Sequence, residues 1–139
     1  KVWKPIYEAG TPILSDRYTT SNAVHQGAKL EPPAREAFFQ WLYEMEYDRM
    51  ELPRPDLVIY LDMPTEVTRQ LMRKRERETS TTADIHEKDV DYLRRCLHTA
   101  DRAAEYYGWT RISFRKNGVE RDVDEKNDEI YRLILSYIQ

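Results

Sequence analysis

Glycine is scarce and cysteine nearly missing: the 139 residues include four glycines and one cysteine. No Gly-x-x-x-x-Gly-Lys-Ser/Thr run occurs, so no backbone nest of that kind can cradle a triphosphate within these residues. The single Cys96 cannot form an internal disulfide, which excludes a small secreted disulfide scaffold. No apolar run approaches the ~20 residues that a membrane-spanning helix needs. An excess of positive charge is also missing. Lys and Arg number 22 against 25 Asp and Glu, a net charge of −3, which argues against a general binder of phosphate backbones. These absences predict a cytoplasmic protein with neither membrane nor nucleic acid as partner. The chain begins at Lys1 with no Met and no signal-like segment, as expected for a portion of a longer protein.

What is present alternates between strand-like and helix-like stretches, with no internal repeat, over a length that suits one domain, residues 1–139. Residues 1–9 read as the end of a helix, with Gly10 in the usual stop position. TPILS, residues 11–15, reads as a short strand whose end delivers Asp16 and Arg17. From Ala34 to Met50 two apolar stripes recur at helical spacing: Phe38, Trp41, Leu42 and Met45, then Phe39, Tyr43, Tyr47 and Met50. A helix with two apolar faces needs two partners, both inside the domain or one on another subunit. LVIYLD, residues 57–62, is apolar without alternation, as expected of a parallel strand covered on both faces. Pro64 suits the first turn of a helix through Val67, Leu71 and Met72, which runs into the basic RKRERE, residues 73–78. TSTTAD, residues 79–84, breaks the periodicity before a long helix resumes through Val90, Leu93, Leu97 and Ala104. WTRISF, residues 109–114, alternates like a strand, RKNG supplies turn chemistry, and Ile130, Leu133, Ile134, Tyr137 and Ile138 mark a closing amphipathic helix. Strands separated by helices predict an α/β protein with a mostly parallel sheet, whose ligands bind beyond the carboxyl ends of the strands.

That rule draws attention to the segment after residue 15. A carboxylate at Asp16 can hold a hydrated magnesium ion, and the guanidinium of Arg17 can grip a phosphate through two hydrogen bonds. Ser21, Asn22 and Gln26 follow at spacings that put one of the first two on the same helical face as Gln26. Amides aimed into a pocket can read a planar base that offers both a donor and an acceptor. The alternative is a helix start whose polar side chains make only local caps. Arg73, Lys74, Arg75 and Arg77 likewise have two readings: a solvated helical face, or cations at the edge of a lid that closes on phosphate. Asp84, His86 and Glu87 read as a helix start. His86, His98 and Cys96 lack the paired spacing of a zinc site.

Three segments carry a resemblance. DRYTTSNAVHQGAK, residues 16–29, resembles the Asp-Arg-Tyr/His … Ser … Tyr-Gln-Gly segment of thymidylate kinases. PDLVIYLDMPTEV, residues 55–67, resembles their fourth strand with its Pro-Asp entry and Pro-Glu-Val exit, and DIHEKDVDYL, residues 84–93, the start of the helix after their mobile lid. The three occur in the family's order and cover most of residues 10–107. The resemblance implies a P-loop nucleoside monophosphate kinase fold, a three-layer sandwich on a mostly parallel sheet. The first strand and the P-loop of that fold lie upstream of residue 1. That strand belongs between residues 11–15 and 57–62, so both are expected to lack a neighbour here.

The implied reaction moves the γ-phosphoryl group of ATP onto dTMP, giving dTDP, with Mg2+ as cofactor, dTMP and ATP as substrates and a homodimer as the assembly. By position, Asp16 would be the magnesium-associated acid, acting through water, and Arg17 would contact the acceptor phosphate. Ser21, Asn22 and Gln26 would surround the thymine and its sugar; Arg73 and Arg77 would be the lid cations, in a lid spanning about residues 73–87. His25 stands where the family usually has Tyr or Phe packed on the deoxyribose, a departure that bears on sugar and base choice. Two other functions are compatible with the same residues: a catalytically silent nucleotide-binding or dimerisation module, favoured by the missing phosphate loop, and a kinase of another small acceptor.

Overall fold

The computed structural model describes residues 2–79 and 90–138. Lys4–Glu8 forms the short helix α1, ended by Gly10, whose φ of 80° turns the chain so that the Thr11 N–H reaches the Ile6 carbonyl at 3.2 Å. Thr20–Gly27 is α2 and Pro32–Tyr43 is α3, which opens on two prolines that need no donor there. Residues Glu44–Arg49 continue α3 as a π turn, closed by the Met50 N–H on the Met45 carbonyl at 2.9 Å. Ile59–Asp62 is β1, Thr65–Thr79 α4, Val90–Tyr107 α5 and Thr110–Ser113 β2. A hairpin of β3, Arg115–Lys116, and β4, Val119–Glu120, precedes the last helix α6, Val123–Ile138. Asn117 and Gly118 turn that hairpin with φ of 53° and 79°, the left-handed pair that a two-residue loop requires.

The molecule is mixed α/β, mostly helical, with one small parallel sheet. β1 and β2 run parallel in the register Ile59 to Thr110 through Asp62 to Ser113. The sheet is therefore smaller than a three-layer sandwich requires. Residues 11–15, expected as a strand, form no ladder among the described residues, and Leu14 is 85% exposed. A strand exists only through its pairing, and β1 and β2 pair with each other rather than with this segment.

The core sits where α2, α3 and α5 meet. Phe39, 0% exposed, packs with Ala23, Leu42 and Ala103, and with the half-buried rings of Phe38, Tyr107 and Trp109. Ala28, Tyr92 and Cys96 form a second cluster against Val24. Gly27 permits the closest approach: a Cβ there would lie 3.0 Å from both Phe39 Cε1 and Thr99 Cγ2. The buried seam of α3 differs from both expected stripes. It runs Arg35, Phe39, Leu42, Glu46, with spacings of four, three and four, and takes one apolar residue from each stripe, while Trp41 stays 54% exposed. Arg35 can be buried because its guanidinium is occupied. Nε donates to the Gly27 carbonyl at 3.1 Å, Nη2 to the Leu30 carbonyl at 2.8 Å, and Nη1 lies 3.2 Å from His98 Nδ1. A cation thus closes the negative end of α2.

Candidate functional site

The candidate residues begin on the turn that leads into α2. Arg17 has a φ of 69°, the left-handed region, and the Ser15 hydroxyl donates to its carbonyl at 2.7 Å. Strain of this kind, in a non-glycine residue, is held where the surroundings fix it. Tyr18 supplies the fixing: its hydroxyl donates to the Pro53 carbonyl at 3.2 Å. Asp16 and Arg17 themselves are exposed, and neither forms an ion pair among the described residues. Thr19, at the cap position of α2, does not cap; its hydroxyl lies 2.5 Å from that of Tyr47 on the π turn.

Along α2 the candidate side chains find different partners. Asn22 Nδ2 donates to Glu46 Oε1 at 2.8 Å, a contact 24 residues away in sequence, so Asn22 is not making a local cap. His25 faces α5, with Nδ1 3.3 Å from the Tyr92 hydroxyl and 3.8 Å from Cys96 Sγ, and its ring is stacked on Tyr92. Gln26, exposed, accepts from Lys29 Nζ at 3.0 Å, and Ser21 is half-buried. Asn22 and Gln26 share a helical face, as their spacing implies, while His25 faces the helical core. The side chains of Arg73 and Arg77 lie outside the described ones, as do Asp84, His86 and Glu87 and the remainder of the lid segment.

A cavity of about 190 Å³ is lined by Glu46, the partner of Asn22, and also bounded by Thr19, Ala23, Leu42, Tyr107 and Trp109. It is smaller than the roughly 300 Å³ at which ligand pockets begin, so it is the floor of the region rather than a nucleotide cup. Glu46 is the one carboxylate in this floor, 7% exposed. Burial pushes its carboxyl above the ordinary range, and the hydrogen bonds from Asn22 and Thr19 pull part of the way back. Burial also raises Tyr18, Tyr47 and Tyr107, each with Glu46 adding to the effect, so these phenols stay protonated. Tyr92 is pushed up to about 12, first by burial, and burial likewise raises the Cys96 thiol, which disfavours a thiolate.

Pattern reading passed over Thr19, Arg35 and Glu46, and took Tyr47 only as part of an apolar stripe. A signal did exist for two of them: Arg35 and Glu46 fall on the same seam as Phe39 and Leu42, and a charge in a buried seam demands a partner. At the far end of β1, Asp62 Oδ2 lies 3.3 Å from Arg111 Nη1, which also pairs with Asp101 at 2.8 Å, tying both strands to α5. Among the described residues no three His, Cys, Asp or Glu side chains are grouped to hold a metal. No helix among them is long and apolar enough to cross a membrane.

Two parallel strands joined through helices, with an exposed carboxylate and guanidinium ahead of α2, define a protein of the mixed α/β class. The profile described as Thymidylate kinase matches residues 1–126, and the chain belongs to the thymidylate kinase family. Membership implies a P-loop kinase fold. Similar proteins include the thymidylate kinase of Mycobacterium tuberculosis (strain ATCC 25618 / H37Rv), 30% identical over 98 residues, 69% of this chain and 46% of that protein. The probable thymidylate kinase of Thermococcus gammatolerans is 32% identical over 120 residues, 86% of this chain and 51% of its own length. That of Staphylococcus epidermidis is 26% identical over 139 residues, 97% of this chain and 61% of its own. The chain thus spans roughly half the length of the curated relatives it matches. No solved structure matches the chain significantly.

Proposed function

We propose that the whole protein is a cytoplasmic nucleoside monophosphate kinase that transfers the γ-phosphoryl group of ATP to dTMP, giving dTDP and ADP. The observation that carries this reading is the family match over residues 1–126, within which Asp16 and Arg17 stand open to solvent at the entrance to α2. In this reading the chain supplies the acceptor half of the site. Arg17 grips the acceptor phosphate and holds its charge close to the incoming phosphoryl group, the positioning on which phosphoryl transfer depends. Ser21, Asn22 and Gln26 surround the base and sugar, with His25 behind them against α5. Arg73 and Arg77 are the cations that neutralise charge spreading over the transferred group.

Exposed Asp16 suits a magnesium ion of the kind that keeps most of its water and takes one carboxylate together with substrate phosphate oxygens. When bound, that ion supplies neutralisation of phosphate charge. No Gly-x-x-x-x-Gly-Lys-Ser/Thr run occurs in these residues, so the phosphates of ATP are held by other parts of the protein. A homodimer completes the reading and is supported by the exposed Trp41, Met45 and Met50 on the outer side of α3 and its π turn.

The test is ADP release by the purified whole protein with dTMP and ATP. Activity with dTMP is expected, and Arg17→Ala should lower kcat/KM about 10- to 100-fold, the equivalent of one lost charged hydrogen-bonding pair. No ADP with any deoxynucleoside monophosphate would end the kinase reading. The alternative is a silent nucleotide-binding module, which calorimetry showing dTMP binding without ATP binding to the whole protein would select.

A further inference from the structure

The amide of Asn22 has two ends of opposite chemistry, and its neighbour decides which end faces out. Ionised Glu46 can only accept hydrogen bonds, so the atom turned toward it must be the donor, Nδ2, which lies 2.8 Å from Oε1. Oδ1 is then left on the exposed side, and no hydrogen bond from a described residue reaches it. Glu46 faces α2 from the π turn with only 7% of its surface exposed, and the Leu52 N–H on its backbone carbonyl at 3.1 Å anchors the turn that carries it.

We propose that Glu46 is a positioning residue for acceptor choice: by holding Nδ2 of Asn22 it presents Oδ1 outward as a fixed acceptor, which selects a base whose ring nitrogen carries hydrogen. Thymine and uracil offer an N3–H to such an oxygen, whereas the N3 of cytosine is itself an acceptor and is repelled. The inference rests on the kinase reading for its site and goes beyond it in naming what sets base choice. Selection by mismatch of this kind is strong because the rejected base leaves two acceptors facing each other.

The same arrangement makes base choice depend on pH. When Glu46 takes up a proton it can donate as well as accept, and the Asn22 amide is free to turn over. The titratable and charged groups facing Glu46 are Tyr18 from the segment before α2, Tyr107 from α5, Tyr47 beside it, and Arg54 across the cavity, which is itself paired with Asp48. Burial raises all three phenols, which therefore stay protonated on the acid side, and burial raises the carboxyl of Glu46, the carboxylate lining this cavity, toward taking up a proton.

The experiment compares kcat/KM for dTMP and dCMP in the whole protein and in its Glu46→Gln and Glu46→Leu variants, from pH 5 to pH 8. Nitrogen-15 spectra of the Asn22 side-chain amide are recorded over the same range. The wild type should favour dTMP, with a preference that weakens as Glu46 protonates and with Asn22 amide protons that shift in step. Both variants should lose at least tenfold of the preference, and Glu46→Gln, which keeps the shape and can face Asn22 with either end, should abolish its pH dependence. A preference unchanged within twofold in a folded Glu46→Gln enzyme that still turns over dTMP would overturn the inference alone. So would an Asn22 amide that does not respond to Glu46 titration, whatever the variants do. A wild type inactive on dTMP would end the kinase reading and this inference with it.

Discussion

The junction of α2, α3 and α5 and the outlying elements are built to different standards. At the junction, Gly27 brings three helices so close that one extra carbon would meet two side chains at 3.0 Å, and Phe39 is sealed from solvent. By contrast α6 has no buried residue, with Tyr131 and Tyr137 more than half exposed, and Leu14 on the unpaired segment 11–15 is almost fully open. The difference separates what this chain stabilises by itself from what it leaves uncovered. The helix that carries the candidate acceptor residues lies wholly on the well-packed side.

The strongest test of that contrast is Phe39→Ala, which should destabilise the protein by about 3–5 kcal/mol in denaturant unfolding, since the surrounding rings cannot collapse into the space. Gly27→Ala should cost about 1–3 kcal/mol by overpacking, with a matching fall in Tm. Glu46→Gln should behave differently from both. Burial raises the carboxyl of Glu46, so the folded state resists its ionisation; the stability this group contributes is present below its unfolded value and lost as pH rises through its folded value. Thermal melts of Glu46→Gln should therefore gain on the wild type from pH 4.5 upward and level off once Glu46 is ionised in both states. The smallest effect belongs to Tyr131→Ser on α6, within about 0.5 kcal/mol by the same melts. A larger loss there would show that the open side is covered in the whole protein, and would erase the contrast.

Much of the fold was legible in local pattern. Within LVIYLD the residues Ile59–Asp62 became the parallel strand β1, but not one covered on both faces, since Leu61 is 56% exposed; Asn117-Gly118 supplied the expected turn through the backbone angles it tolerates. The segment 11–15 was not legible in the same way, because a strand is a property of two segments and its composition says nothing of the second. The stripes on α3 misled for another reason. Counting only apolar residues hides a seam in which Arg35 and Glu46 are buried, one against carbonyls that end α2 and one against Asn22. At the candidate site, Asp16, Arg17, Ser21, Asn22, His25 and Gln26 could be named from spacing and resemblance. The inward turn of His25 toward Tyr92, and the partners Thr19, Glu46 and Tyr47, could not, since they depend on where a second helix and a third one pass.

The wide turn at Glu44–Arg49 has a consequence for how this chain can change. It holds one more residue per closing hydrogen bond than the helix before it, and it is the piece that sets Tyr47 against Thr19 and Glu46 against Asn22. Loss of a single codon there would let an ordinary spiral resume, leaving the residues beyond it facing much as before but re-aiming those within the turn. Both handholds on the neighbouring helix would be gone at once, with hardly a change in length or composition to betray it.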